Sequence, residues 1–303
     1  MATHRQPRRG VAGGCRDAQV SRQPPTICPT GPFWPFSLTA NATDRHAEQM
    51  SSIALVRRTS PALESGITSH IDRVAVDTDL AQRQHEAYCA ALTDAGYELR
   101  YVQDAPDLAD AVYVEDTAVV VDNVAVLANP AAPERRDEVA GTEKVLRELG
   151  LQIHRITEPG TLDGGDILQV GSTIYVGRGG RTNGAGIAQL REFLAPLGRT
   201  VVPVRLTEVL HLKSAVTALP DGTLLMHRDD LVEAGALPVA RIVQEDAGCH
   251  LVPLIDGTLL ISDSAPKTIA ELEDLGFRTR PVPMSEFEKR EGCVTCLSIP
   301  LSI

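Results

Sequence analysis

Residue types that together support cysteine-based covalent catalysis stand far apart in this chain. They are a thiol at Cys296, an imidazole at His211 and carboxylates at Asp110, Glu115, Asp116, Asp163 and Asp166. In such chemistry a thiolate attacks, a histidine moves protons, and an acid orients the histidine or holds the substrate. Each residue also has a plain structural use. Cys296 could fill an apolar strand near the chain's end, and His211 could be a hydrogen-bonded core histidine. Glu115-Asp116 could end a strand, and Asp163-Gly164-Gly165-Asp166 could be a turn. Arg135-Arg136 would by default be a solvated helix start, and Arg181 a loop charge. Cys293 and Cys296 form a C-x-x-C. Read as strand residues three apart, they point to opposite faces, so neither a redox pair nor a zinc site is expected from that motif.

What raises these residues above their separate alternatives is the repeat that carries them. Five times a helical stretch is read as ending in Gly and passing into a short apolar strand, at Gly96, Gly150, Gly198, Gly248 and Gly276. Glycine just past a helix end supplies the left-handed cap such a turn requires. Hairpins follow at Val112–Val121/Val124–Ala128, Ile167–Val170/Thr173–Val176 and Ala215–Leu219/Thr223–Met226, and a shorter one lies over Leu254–Ile261. The fifth unit ends in Cys296–Ile303, and the strand over Ile53–Arg57 supplies its missing partner. Between junction strand and hairpin, unit one carries Asp110 and Glu115-Asp116, unit two Asp163 to Asp166, unit three His211, and unit five Cys296. Five such units with mutually completing ends predict an α/β fold, a closed five-bladed propeller in which these positions converge on the axis. An open doubly wound sheet is the competing arrangement.

Composition narrows the function. The 303 residues carry a net charge of −11. Residues 1–49 hold six arginines against three acids, +3, so the remainder carries −14. An acidic body argues against binding a phosphate backbone, which needs clustered cations, so no nucleic-acid partner is expected. No apolar run approaches a membrane span of about 20 residues, so no membrane partner is expected. Six cysteines without a secretory signal read as free thiols in a reducing cytoplasm. Residues 1–49, rich in Arg, Pro, Gly and Thr, read as a disordered basic extension, with Met50 an alternative start and 50–303 a single catalytic domain.

With these residues assembled, the chain from Met50 resembles the dimethylarginine dimethylaminohydrolase family of the guanidine-modifying pentein superfamily. The matching segments, in family order, are Val114-Glu115-Asp116, Asn129 to Arg136, Thr161 to Asp166, Gly180 to Asn183, Leu210 to Ser214, Met284 to Lys289 and Thr295-Cys296. The resemblance implies the pentein fold, a five-bladed pseudo-symmetric α/β propeller closed by its terminal strands. It implies Cys296 as nucleophile, His211 as proton-transfer residue and Asp163 orienting the histidine. Asp116 would hold the guanidinium, with Asp110 and Glu115 as further substrate contacts. Arg135 and Arg181 would bind the α-carboxylate, and Arg290 would offer its backbone carbonyl. No metal or other cofactor is required, an inhibitory zinc at Cys296 being the exception known in such proteins. The partner is a small guanidino amino acid, and a homodimer is compatible. The expected reaction converts asymmetric dimethylarginine or monomethylarginine to citrulline and dimethylamine or methylamine. The stretch Arg57–His70 corresponds to the family's mobile lid but matches it poorly. Arginine deiminase or arginine hydrolase chemistry is the alternative, although the deiminases' extra helical insertion is not seen. Non-catalytic ribosome-binding relatives lack the Cys/His/acid set.

Overall fold

The computed structural model describes residues 52–303. The expectations for residues 1–49 and for a start at Met50 lie outside the described residues. The strands run in chain order with the helices between them. First come β1 (Ser52–Val56), α1 (Thr78–Asp94) and β2 (Glu98–Tyr101), then β3 (Ala118–Val121), β4 (Val124–Leu127), α2 (Glu138–Glu148) and β5 (Gln152–Arg155). β6 (Ile167–Val170), β7 (Thr173–Arg178), α3 (Gly184–Leu194) and β8 (Thr200–Arg205) follow. After them come α4 (Leu212–Ala215), β9 (Val216–Ala218), β10 (Leu224–Met226) and β11 (Ala240–Ile242). The chain closes with β12 (Leu251–Pro253), β13 (Thr258–Ser262), α5 (Pro266–Asp274), β14 (Arg278–Val282), α6 (Ser285–Glu288) and β15 (Ile299–Ser302).

These strands make five separate three-stranded sheets, β15-β1-β2, β3-β4-β5, β6-β7-β8, β9-β10-β11 and β12-β13-β14. In each, the middle strand pairs antiparallel on one side and parallel on the other. The parallel step needs a crossover, which α1, α2, α3 and α5 provide. The open doubly wound alternative is thereby excluded, and the five-bladed ring stands.

The middle strands explain the ring. In β4 every residue is buried, because both faces of the blade are covered. Val124 and Val126 point into an apolar cluster shared with Ile167, Ile174 and Leu190 of the next blade. Ala125 and Leu127 point into another with Ile53, Leu55 and Leu301 of the preceding one. The two-residue side-chain period sends alternate residues to neighbouring blades. Ala54 and Val56 of β1 likewise meet Val252, Leu260 and Val282 of the last blade, which closes the ring. β1 pairs with β15 through Ile53 opposite Leu301 and Leu55 opposite Ile299, as the missing-partner reading expects.

The helix ends mostly follow the expected chemistry. Asp77 accepts Leu80 N–H at 2.9 Å to cap α1, and Asn183 accepts Gly186 N–H to cap α3. Gly96, Gly150, Gly198 and Gly276 all take positive φ past a helix. Gly248 does not. It lies in a short 3-10 turn, Asp246–Cys249, with no α-helix between β10 and β11. The stretch after it, read as a junction strand, is instead the first strand of the last blade, and the preceding blade takes β11 as its third strand. β11 is only Ala-Arg-Ile with two of three residues exposed, so it leaves no apolar signal in the sequence. Ser264, two residues before α5, does not cap it. The carboxylate of Glu245 does so, accepting the N–H groups of Lys267 (2.9 Å) and Thr268 (3.1 Å).

Candidate active site

The ring's chemistry sits in the turns that lead into the first strand of each blade. Val114–Thr117 precedes β3, Gly164–Asp166 precedes β6, α4 precedes β9, Asp246–Cys249 precedes β12, and Cys293–Ser298 precedes β15. Glycine is required in the second of these. A β-carbon on Gly164 would stand 2.0 Å from the Glu115 carbonyl oxygen, and one on Gly165 would stand 2.6 Å from His211 Nδ1 and 2.7 Å from Asp116 Oδ1. Only a bare backbone lets three blades bring their polar residues this close.

His211 is the hub. Its Nε2 lies 3.2 Å from Asp163 Oδ2, and its Nδ1 lies 3.8 Å from Asp116 Oδ1. Asp116 also accepts the Gly165 N–H (2.9 Å) and pairs with Arg135 Nη1 (2.6 Å). Asp166, expected only to be part of a turn, accepts the Leu212 N–H at 3.0 Å and so fixes the backbone next to His211. Although burial opposes its charge, the imidazole is pushed up to about 9 by Asp116, Asp163 and Asp166, so it is imidazolium at neutral pH. Asp116, despite its own burial, is held down at about 2 by His211 and Arg135.

Asp110, Asp116, Arg135, Arg181, His211, Arg290 and Cys296 line one small cavity. Seven of the nine expected site residues therefore meet at one place. Asp163 stands behind His211, fully buried, with Oδ1 unpaired. Glu115 departs from expectation. Burial raises its carboxyl to about 7, and it turns to Lys213, lining a separate cavity of about 320 Å³ that shares no residue with the first. Adjacent residues in a short 3-10 turn point in different directions, so Asp116 lines the cavity of the thiol while Glu115 lines the other. Arg135 spends its donors on Glu138, Asp116 and the carbonyls of Asp110 and Tyr113, leaving one Nη1 hydrogen. Arg181 has a buried Nη1 without a hydrogen-bond partner, 3.6 Å from Asp163 Oδ2.

The nucleophile's cavity measures only about 20 Å³, against about 300 Å³ or more for a small-molecule site. It is shut by the segment after β1. Asp110 accepts the Ile67 N–H (3.0 Å), Arg290 donates to the carbonyls of Glu64 and Val74 (both 2.8 Å), and Glu291 accepts the N–H groups of Ser69 and His70 (both 2.7 Å). Arg290 thus acts here through its side chain. Next door lies a cavity of about 610 Å³, and Leu210, Glu291 and Gly292 belong to both linings. Within the expected lid, Arg57 is buried, its Nη1 and Nη2 donating to the carbonyls of Ala111 and Glu138 while its Nε has no partner.

The expectation for Cys293 is overturned. Residues 293–296 form a turn closed by Cys296 N–H to the Cys293 carbonyl (3.1 Å), not a strand, and the two sulfurs stand 3.3 Å apart. The pair's hydrogen bond and burial push the Cys296 thiol up, and the same bond pulls Cys293 down. No proline or glycine inside Cys-Val-Thr-Cys signals the turn in the sequence.

No protein-family model matches the chain. It is 51% identical over 251 residues to N(G),N(G)-dimethylarginine dimethylaminohydrolase of Streptomyces coelicolor, covering 83% of this chain and 97% of that protein. The solved structure of dimethylarginine dimethylaminohydrolase from Pseudomonas aeruginosa with citrulline superposes with a TM-score of 0.78 at 27% identity, covering 83% of this chain and all of that one. The N-terminal domain of a cyanobacterial arginine dihydrolase shares the fold, with a TM-score of 0.70 at 19% identity over 82% of this chain and 98% of that one.

Proposed function

The chain belongs to the dimethylarginine dimethylaminohydrolase family, and on that footing we propose how its residues carry out the reaction. It hydrolyses N-methylated arginines to citrulline, releasing dimethylamine or methylamine. The observation that carries the assignment of roles is the meeting of Cys296, His211 and Asp116 in one cavity, from three different blades, with Asp163 behind the histidine.

A guanidinium stays protonated (pKa above about 12) and spreads its charge, so its carbon is a poor electrophile. Asp116, ionised and fixed by Gly165 and Arg135, holds the planar cation and localises charge at the central carbon. The same cation favours the Cys296 thiolate, because an opposite charge nearby stabilises the charged form. The thiolate attacks the carbon. His211 passes a proton from Nδ1, the ring nitrogen not engaged by Asp163, to the departing amine. A covalent S-alkylthiouronium remains on Cys296. His211, now neutral, takes a proton from water, and the hydroxide displaces the thiolate to yield citrulline. Arg181 Nη1 and the remaining Nη1 hydrogen of Arg135 bind the α-carboxylate. Asp110 and the Arg290 carbonyl hold the amino end, while Glu115 is paired with Lys213. The reaction requires no metal or cofactor, and zinc at Cys296 would be inhibitory. The setting is the reducing cytoplasm that the unpaired cysteines suggest. Among the described residues no helix is long and apolar enough to cross a membrane.

The test is citrulline formation from asymmetric dimethylarginine, monomethylarginine and arginine side by side. Turnover should favour the methylated substrates and fall by at least about 10³-fold in Cys296→Ser. Absence of turnover on every guanidino substrate by folded protein overturns the proposal, and a preference for free arginine moves it to the arginine hydrolases.

A further inference from the structure

We infer that Cys293 is a resolving thiol, which closes a reversible disulfide onto Cys296 and switches the nucleophile off when the protein meets a peroxide. The inference rests on Cys296 being the nucleophile. Its geometry is already near closure. The sulfurs are 3.3 Å apart, and a disulfide needs about 2.05 Å, a gap that rotation of two side chains can close. The backbone is suited as well. The 3.1 Å bond from Cys296 N–H to the Cys293 carbonyl makes residues 293–296 a β-turn. A β-turn holds its end Cα atoms within about 7 Å, overlapping the roughly 4.4–6.8 Å that a disulfide spans.

The two thiols differ in what they face. Cys296 lines the cavity with His211 and Asp116, whereas Cys293 does not. Cys293 stands behind it against the Thr295 hydroxyl, 3.1 Å away. An oxidant that enters where substrate enters meets Cys296 first, and Cys293 is placed to attack from the protein side. The reaction given above uses no group on Cys293. The other described thiols have different neighbours. Cys89 lies 3.7 Å from His85 Nδ1, and Cys249 donates to the Asp246 carbonyl at 3.1 Å.

The chemistry balances with hydrogen peroxide as oxidant. The Cys296 thiolate attacks one peroxide oxygen, the O–O bond breaks, hydroxide leaves, and the sulfur becomes a sulfenic acid. The Cys293 thiolate then attacks that sulfur, the S–O bond breaks, hydroxide leaves again, and the S–S bond forms. The two protons lost by the thiols convert both hydroxides to water. A dithiol reductant reverses the state by exchange, ending as its own disulfide.

The whole chain would be reduced, freed of reductant, treated with hydrogen peroxide, and digested with trypsin. Cleavage after Arg290 yields Glu291–Ile303, which contains Cys293 and Cys296 and no other cysteine. The expected result is that this peptide becomes about 2 Da lighter as citrulline formation is lost, and that dithiothreitol restores both. In Cys293→Ala, compared with its own reduced activity, the same dose should leave Cys296 as sulfinic or sulfonic acid, with recovery at least several-fold poorer. Loss of activity without the lighter peptide overturns the inference, as does recovery of Cys293→Ala equal to that of the parent. If Cys293→Ala does not fold, the peptide from the parent chain decides alone. A reduced protein that makes no citrulline would count against the family reaction, while the peptide mass still tests the disulfide.

Discussion

At the residue scale, the decisive feature is that His211 is charged while buried. Three carboxylates hold it so against desolvation, which would otherwise favour the neutral ring. Its raised affinity for a proton contributes stability fully present below about pH 6.5 and lost as pH rises through about 9. Two outcomes are expected together. Turnover should fall on the alkaline side near pH 9 as the proton donor is lost, and resistance to urea should fall over the same range. In Asp116→Asn, the His211 ring signals followed by NMR should titrate at lower pH than in the parent, and an unchanged midpoint would show that Asp116 does not set the charge. Gly165 is the second residue-scale test. Gly165→Ala forces a methyl against both His211 and Asp116. Turnover should drop about 10²-fold, the cost of an ångström's misplacement, and citrulline assays that match the parent would show that the turn relaxes freely.

At the element scale, the segment between β1 and α1 governs access. It has little regular structure beyond the short 3-10 turn Leu63–Ser65; Leu63 anchors it in the apolar core, and Asp110, Arg290 and Glu291 hold its backbone. The cavity beneath, about 20 Å³, is too small for an amino acid, so substrate entry is expected to require this segment to lift. Glu291 is its latch, bonded to two successive backbone N–H groups and 3.4 Å from the His70 ring. Hydrogen bonds to a charged group are worth about 1.5–3 kcal/mol each. Because these bonds close the segment over the empty cavity, losing about 1.4 kcal/mol of them in Glu291→Ala should lower KM about tenfold, and should speed proteolytic cleavage within residues 62–74. Unchanged KM and unchanged cleavage would show that the latch lies elsewhere. Because Ile67 of this segment lines the cavity with Cys296, selectivity between methylated and free arginine is expected to respond to changes here.

At the scale of the whole molecule, the ring is held by blade-to-blade packing rather than by one central core. Leu55 is fully buried in β1, the strand that joins the first and last segments of the described chain. Leu55→Ala should cost about 2–5 kcal/mol of stability, read from denaturant midpoints, and should disturb the β15 turn carrying Cys296 along with the first blade. A loss below about 1 kcal/mol would mean that closure does not depend on this contact. The pseudo-symmetry also explains the site. Equivalent turns of different blades point at one axis, so residues from distant parts of the chain meet without any being close in sequence.

Much of this was legible in the sequence because it rests on local rules. Glycines past helix ends, hairpin turns and strands apolar on both faces are set by φ limits and side-chain periodicity, and they announced the repeat. The repeat in turn announced that Cys296, His211, Asp163 and Asp116 would converge. What only the tertiary structure decided depends on direction and on contacts across the ring. The fourth blade's third strand has too few buried residues to carry a pattern, so the sequence marks Gly248 as a helix end where the fold has a 3-10 turn. Glu115 and Asp116 are neighbours in sequence, and the tightness of one 3-10 turn sends the first to Lys213 and the second to His211. Cys293 and Cys296 would diverge in a strand. A single hydrogen-bonded turn, unmarked by glycine or proline, instead brings their sulfurs into contact.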